Sequence, residues 1–259
     1  MPRPALAATR AIAILNFLAA HPRDAYTLSD LASALDINVA STHGLLAALT
    51  EAGYVVRHPR LRTYGLGPAV AALGSAALER HTVIDVARDA ARDLATELGL
   101  EVAVTAPAGD EIVILSRAGE HQARGIATYV GQRVPLRQPT GSVFMAWRDA
   151  DAWLHDADDP NLLRAVLDGV RTRGYAIALE GPDYVVPELS NDRTYDLSMI
   201  AAPVFGPNGE AILSLALIGF AAGLGAHEVA AYGARVRDVA VIVTKRSGGR
   251  LPELLARPA

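Results

Sequence analysis

Residues 27–53 read TLSDLASALDINVASTHGLLAALTEAG, and the spacing of their leucines decides how the chain begins to fold. Thr27 precedes Leu28, Leu31 and Leu35 at helical spacing, with Asp30 three residues on in the position of a capping box. "DIN" is a short turn. Asn38 caps a second helix that runs to about Ala52 and stops at Gly53. Working outward, residues 9–20 repeat Ile12, Leu15 and Phe17–Leu18 as a first helix, which "HPRDAY" breaks at Pro22. Downstream, "YVVRH", "PRLR" and "TYGLG" read as strand, turn and strand. Helix, helix, turn, helix and hairpin in this order make a winged helix-turn-helix over residues 1–67.

The second helix of that motif is plain. At about 100° per residue, Leu45, Leu46, Leu49 and Thr42 share one face. The opposite face carries Ala40, Gly44, Ala47 and Glu51, flanked by Ser41, His43 and Ala48. Small side chains let a helix axis come close to a groove floor. Ser41 and His43 can then reach base edges, and Ala40 a thymine methyl. No arginine is available on this helix for a guanine contact. The cations lie elsewhere: Arg57, Arg60 and Arg62 surround the hairpin turn, and Arg10 lies on the first helix. A wing of this kind can grip phosphates or enter the minor groove. Gly44 costs about 1 kcal/mol relative to Ala inside a helix, which close approach to a neighbour would offset.

Charge is divided in the same sense. Residues 1–80 hold seven Arg and five acids, net +2, while the whole chain is −4, so residues 81–259 carry −6. A basic front on an acidic body points to a polyanion met only at the front. With 51% hydrophobic and 20% charged residues the chain has the profile of a folded protein. It contains no cysteine, which excludes disulfides and thiol chemistry and fits the cytoplasm. The N-terminal "MPRPALAATRAIAILNFLAAHP" imitates a signal peptide, but Arg10 and Asn16 interrupt it and it reads as an amphipathic helix. No run reaches the roughly 18 apolar residues of a membrane span.

Beyond the hairpin, "GPAVAALGSAALER" reads as a linker helix over 68–80 with Val70, Leu73, Ala77 and Leu78 in one stripe. Residues 81–249 then alternate helices with paired strands. "TVIDVARDAARDLATELG" is a helix, "LEVAVTA" and "EIVILSR" flank a turn, and "GIATYV" is a strand. "GSVFMAW", the region around Trp153 and the segment after Pro160 are helical. "GYAIALE" is a strand, "SMIAAPVF" and "EAILSLALIGF" form a hairpin, and a long helix covers about 227–246. This predicts an α+β domain built on an antiparallel sheet, followed by a tail over 250–259. The chain has no phosphate-binding loop, no dinucleotide fingerprint, no metalloprotease or hydrolase motif, and no ligand-spaced histidines. Neither a cofactor, a metal nor an enzyme activity is therefore expected.

The stretch from Leu28 through "GLGPAVAALG" resembles the DNA-binding half of the IclR family of bacterial transcriptional regulators. The later "GQRVPLRQPTGSVFMAW", "RGYAIALE" and "IAAPVFGPNGEAILSLALIGF" resemble landmarks of that family's effector-binding half, in the same order. The resemblance implies a GAF or profilin-like effector domain, a linker helix that helps pair subunits, and a homodimer or dimer of dimers on double-stranded operator DNA. Many members carry Arg where this chain has Gly44. In members that sense small carboxylic acids, a Thr/Ala-Gly segment, a Cys and two Ser line the pocket. The matching positions here are Thr140, Gly141 and Ser142, then Met199, then Ala216 and Ile218. Losing a thiol and two hydroxyls removes donors for a small anion, so a larger, partly apolar or aromatic effector is expected. Tyr129 is a further lining candidate, with Arg193 and Tyr195 of "SNDRTYD" as polar clamps. Two other functions compete with a ligand-responsive regulator: an enzyme that uses a winged domain for dimerisation, and a winged module that binds protein.

Overall fold

The computed structural model describes residues 5–80, 82–120, 129–148, 151–155, 157–181 and 186–256. The chain forms two compact units, Met1–His81 and Thr82–Ala259.

In the first unit, α1 (Leu6–Ala20), α2 (Leu28–Ala34) and α3 (Val39–Glu51) precede the hairpin β1 (Val55–Arg57) and β2 (Tyr64–Leu66) and the helix α4 (Pro68–Arg80). The helix α1 begins earlier than its apolar spacing indicates. Thr27 and Asp30 form the capping box: Thr27 N donates to Asp30 Oδ2 at 2.8 Å, and Asp30 N donates to Thr27 Oγ1 at 3.3 Å. Ile14, Leu18, Leu31, Leu46, Val55 and Tyr64 make one core. Gly53 takes a left-handed φ of 74°, which closes α3 and turns the chain into β1. Gly67 admits no side chain, because a Cβ there would meet Gly53 O at 2.2 Å. Along α4, residues 71–77 are exposed, and Leu73 is 56% accessible. The Leu78 side chain lies outside the described residues.

The second unit opens with α5 (Thr82–Leu98), β3 (Glu101–Ala108), β4 (Glu111–Ala118) and β5 (Arg133–Pro135). The helices α6 (Ser142–Met145), α7 (Asp151–Leu154) and α8 (Pro160–Arg173) follow, then β6 (Ala176–Leu179), β7 (Thr194–Tyr195), β8 (Leu197–Phe205), β9 (Ala211–Ile218) and β10 (Leu224–Gly225). The long α9 (Ala226–Arg246) and the short α10 (Glu253–Ala256) end the chain. Among the described residues, six strands form one antiparallel sheet in the order β5-β4-β3-β9-β8-β6.

Both faces of the sheet are covered, which is why every residue of β8 is buried. Against one face pack α5 and α9, with Val102, Val104, Ile200, Leu215 and Leu217 in the core. Against the other pack α6 and α8, over Ala103, Ala176, Ala178, Met199, Ala201, Ala216 and Ile218. The second floor is paved with alanines.

Three local expectations change. Of "GIATYV", residues 125–128 lie outside the described residues, and Tyr129–Val130 form a turn instead of a strand. Gln132 closes that turn, its Oε1 accepting from Tyr129 N at 3.1 Å, and Gly131 takes a φ of 87°. The strand comes afterwards, as β5 at the sheet edge. Residues 251–256, read as tail, carry α10, and Leu251 and Leu255 pack onto the alanine-side core.

Candidate functional site

Two regions gather the candidate residues. On α3, Thr42 and Leu46 are buried while Leu45 and Leu49 are half-buried, so the leucine face looks inward. Asn38 organises the first turn. Its Oδ1 accepts from Ser41 N at 2.8 Å and its carbonyl accepts from Thr42 Oγ1 at 3.1 Å. Val39, Ala40, His43, Gly44 and Ala47 are left exposed, with Ser41 half-buried beside them. A Cβ built on Gly44 meets nothing within 4 Å. Among the described residues, therefore, nothing offsets the cost of that glycine.

The wing carries the charge. Arg57, Arg60 and Arg62 are exposed, and none of them makes an ion pair among the described residues. The Arg57 guanidinium stands 5.8 Å from the centroid of the Tyr64 ring, which orients its stem. Arg10 is half-buried on α1.

In the second unit Met199, Ala216, Ile218 and Ser142 belong to one buried face, with α6 packed over β8 and β9. Gly141 turns the chain into α6, where a Cβ would clash with Arg137 N at 2.6 Å. Thr140 is half-buried beside it, and Tyr129 is half-buried in a turn pinned by Gly131 N to Ile114 O at 2.8 Å. Among the described residues, the buried side-chain polar atoms without a hydrogen-bond partner are Gln138 Nε2, Ser142 Oγ, Trp147 Nε1 and Trp153 Nε1. They fall in one stretch of chain around α6 and α7. An unpaired buried donor costs about 1–3 kcal/mol, so these atoms call for partners that the described residues do not supply.

Sequence reasoning missed two features of this face. Thr105 Oγ1 and Ser214 Oγ lie 2.8 Å apart, both buried, on the register pair that continues the Ala103–Ala216 row. Arg117, whose cross-strand partner is Ala103, holds buried Glu101 through two bonds of 2.7 Å. Period-two alternation from Ala103 would have placed Glu101 and Thr105 on this face.

Arg193 and Tyr195 do not join that group. Tyr195 is on β7, which pairs with β10 and not with the main sheet, and its ring lies in the core on the α5–α9 side. Its hydroxyl accepts from Ser190 N at 2.6 Å and donates to Ser190 O at 3.2 Å, so it is satisfied internally. Arg193 caps the ring at 4.7 Å and lines an open groove with Arg173, Tyr175 and Pro187. Arg173 there donates to the carbonyls of Tyr175, Pro187 and Val186. Burial lowers its pKa from the ordinary value and raises that of Tyr175. Its bonds tie the 186–187 segment to the start of β6. No group of acids or histidines able to hold a metal occurs among the described residues. No helix among them is long and apolar enough to cross a membrane.

Comparison with known proteins finds relatives of both units. Residues 7–59 match the IclR helix-turn-helix domain, and residues 75–244 match the bacterial transcriptional regulator IclR C-terminal domain. The chain is 26% identical over 224 residues to the HTH-type transcriptional regulator BhcR of Paracoccus denitrificans, covering 81% of this chain and 76% of the relative. It is 25% identical over 251 residues to the HTH-type transcriptional repressor AllR of Escherichia coli K12, covering 91% and 88%. Its fold is similar to an IclR transcriptional regulator from Alicyclobacillus acidocaldarius, with a TM-score of 0.76, 23% identity and coverage of 95% and 100%. It is also similar to an IclR homologue from Microbacterium hydrocarbonoxydans in complex with 4-hydroxybenzoate, with a TM-score of 0.68, 18% identity and coverage of 92% and 97%.

Proposed function

The chain belongs to the IclR family of bacterial transcriptional regulators, and from that premise we propose how it grips its operator and what it senses. It is a ligand-responsive DNA-binding regulator and, like the family, not an enzyme.

On DNA, affinity and specificity come from different elements. The wing residues Arg57, Arg60 and Arg62, with Arg10, hold phosphates. The first turns of α3 read bases through Ser41 and His43, with Ala40 against a thymine methyl and Gly44 allowing close approach. The observation that carries this division is the contrast between three exposed wing arginines, none in an ion pair among the described residues, and an α3 whose outward face is small and free of arginine and lysine. A gel-shift titration over a salt series, on the DNA upstream of the gene, tests it. Each phosphate-binding arginine replaced by Gln should flatten the log K against log salt slope by about 0.9 per phosphate lost. Ser41→Ala and His43→Ala should leave the slope alone and relax sequence preference. A triple wing variant that binds like the parent protein would overturn the reading.

The regulator acts in the cytoplasm as at least a homodimer. The run of small and apolar residues exposed along α4, residues 71–77 with Leu73, supports pairing, because small side chains let a second helix come close.

The effector seats between α6 and the alanine floor. In this reading Thr140, Gly141 and Ser142 supply its α6 side, Met199, Ala216 and Ile218 its sheet side, and Tyr129 its margin, supported by the burial of Ser142, Met199, Ala216 and Ile218 on one face. The partnerless Ser142 Oγ and Gln138 Nε2 support a ligand that brings hydrogen-bond acceptors, and the apolar floor supports a body larger than a two- or three-carbon acid. An aromatic acid has both properties, and the Microbacterium homologue holds one, 4-hydroxybenzoate. A thermal-shift screen of aromatic acids and lipophilic catabolites against glyoxylate and pyruvate is the test. Stabilisation by the small acids alone would overturn the apolar reading.

A further inference from the structure

The tip of the hairpin is a small closed loop with an unusual occupant. His58 N donates to Thr63 O at 2.8 Å, and Arg62 N donates back to His58 O at 3.0 Å. The His58 ring folds over the turn, its Nδ1 accepting from Leu61 N at 3.1 Å. Arg62 takes a left-handed φ of 57°, a conformation uncommon for a side chain of its size. These bonds satisfy the turn from within. Leu61 is left 63% exposed between two exposed arginines, and it takes no part in the core of its unit.

A single exposed leucine needs no explanation on an ordinary surface. Here its neighbours restrict what can cover it. Exposed Arg60 and Arg62 call for anionic groups on whatever covers them, and Leu61, between them in sequence, calls for an apolar surface beside those groups. The DNA minor groove has that cross-section: phosphates line both edges, and deoxyribose rings wall the inside. Apolar side chains inserted beside arginines are a recurring way of engaging it. We propose that Leu61 is a minor-groove contact, seated between sugar walls while Arg60 and Arg62 hold the opposite rims, and that it selects A·T pairs at that position of the operator. The selection follows from the guanine 2-amino group, which projects into the minor groove only at G·C pairs. Packed under an isobutyl group, that donor would lose its water and find no acceptor. The narrow groove of A·T-rich DNA also strengthens the pull on the flanking arginines. His58 acts as a positioning residue, since its ring nitrogen holds the backbone of Leu61. The inference rests on the reading that the wing engages DNA.

The two claims separate experimentally. The full-length protein is used with a duplex selected from random sequence, and binding is followed by fluorescence anisotropy over a salt series. Leu61→Ala should bind roughly tenfold more weakly, as expected for losing most of one buried leucine side chain, with an unchanged salt slope because no counterion is involved. Leu61→Met should bind like the parent protein. Arg60→Gln should lower the slope instead. In a second arm, a G·C pair introduced at the wing position is exchanged for inosine·C, which removes the 2-amino group and leaves the major groove unaltered. The parent protein should regain affinity on inosine, and Leu61→Ala should be indifferent. Parent-like binding by Leu61→Ala together with a weakened Arg60→Gln would overturn the leucine contact and keep the wing. Parent-like binding by both variants would overturn the wing reading itself. Because the side chain is exposed, the thermal midpoint of Leu61→Ala should equal that of the parent. A lowered midpoint would show that Leu61 serves the fold and would overturn the proposal.

Discussion

Replacing Gly44 by alanine should make the protein more stable and its operator binding weaker. Glycine inside a helix costs about 1 kcal/mol relative to alanine. Gly44 is exposed in the middle of α3, and a Cβ there meets nothing within 4 Å, so no steric penalty offsets the gain. For a unit of this size, about 1 kcal/mol corresponds to a rise of about 4–8 °C in thermal midpoint where the unit unfolds on its own. The same methyl group projects from the face that lacks other bulk. On DNA it would hold α3 away from the groove floor and lengthen the base contacts of Ser41 and His43 beyond hydrogen-bonding range. Losing one such contact costs about 1–3 kcal/mol, or roughly a fivefold to hundredfold loss of affinity. Differential scanning fluorimetry of the full chain reads the first effect, and anisotropy with the operator duplex reads the second. An alanine variant that binds the operator as tightly as the parent protein would refute the close-approach argument. A lowered midpoint would refute the open-space argument.

Four further outcomes follow from particular residues. Thr27→Ala should cost about 1 kcal/mol of stability in the DNA-binding unit, measured by urea unfolding, because it removes the cap of α2. Hydrogen bonds from Thr27 hold the Asp30 carboxyl below its ordinary pKa, so its contribution is present above the unfolded value near 4 and fades as pH falls through that range. The stability gap between the parent protein and Asp30→Ala should accordingly close in acid, and a gap that widens below pH ~4 would contradict the assignment. Glu101→Gln should destabilise the effector unit by about 2 kcal/mol, less than a fully buried pair because Arg117 is partly exposed, and a change below about 0.5 kcal/mol would count against the buried pair. Sedimentation at micromolar concentration should find a dimer or larger, and introducing charge with Leu73→Glu should weaken it; a monomeric parent protein would remove α4 as a pairing surface.

The first unit was legible because its signals are local. The Thr27–Asp30 box, the Asn38 cap, the leucine spacing of α3 and the stop at Gly53 each depend on residues within one or two turns of each other, and the chain obeys them wherever it sits. The strands and helices of the second unit were legible for the same reason, except where elements are too short to show a period: β5, β7 and β10 exist only through the strands they pair with. The outward positions of α3 were readable as the side opposite its leucines. That a Cβ on Gly44 meets nothing among the described residues, and that Leu61 is left exposed beside the wing arginines, required the folded chain.

The effector region divides along the same line. Alternation along β8 and β9 was enough to make Met199, Ala216 and Ile218 companions, since side chains two apart share a face of a pleated strand. Tyr195 precedes Met199 by only four residues, yet it ends in the opposite core, because β7 leaves the main sheet to pair with β10. Thr105 and Ser214 touch across 109 residues of sequence, and Gln138 Nε2 and Ser142 Oγ are buried without a partner among the described residues. A hydrophobic period or a helix cap is settled by neighbours along the chain, so sequence alone determined the elements and their inward faces. Which face of the sheet a side chain reaches, and whether its polar atoms find a partner there, depends on strands brought together from far apart, and only the tertiary structure decided it.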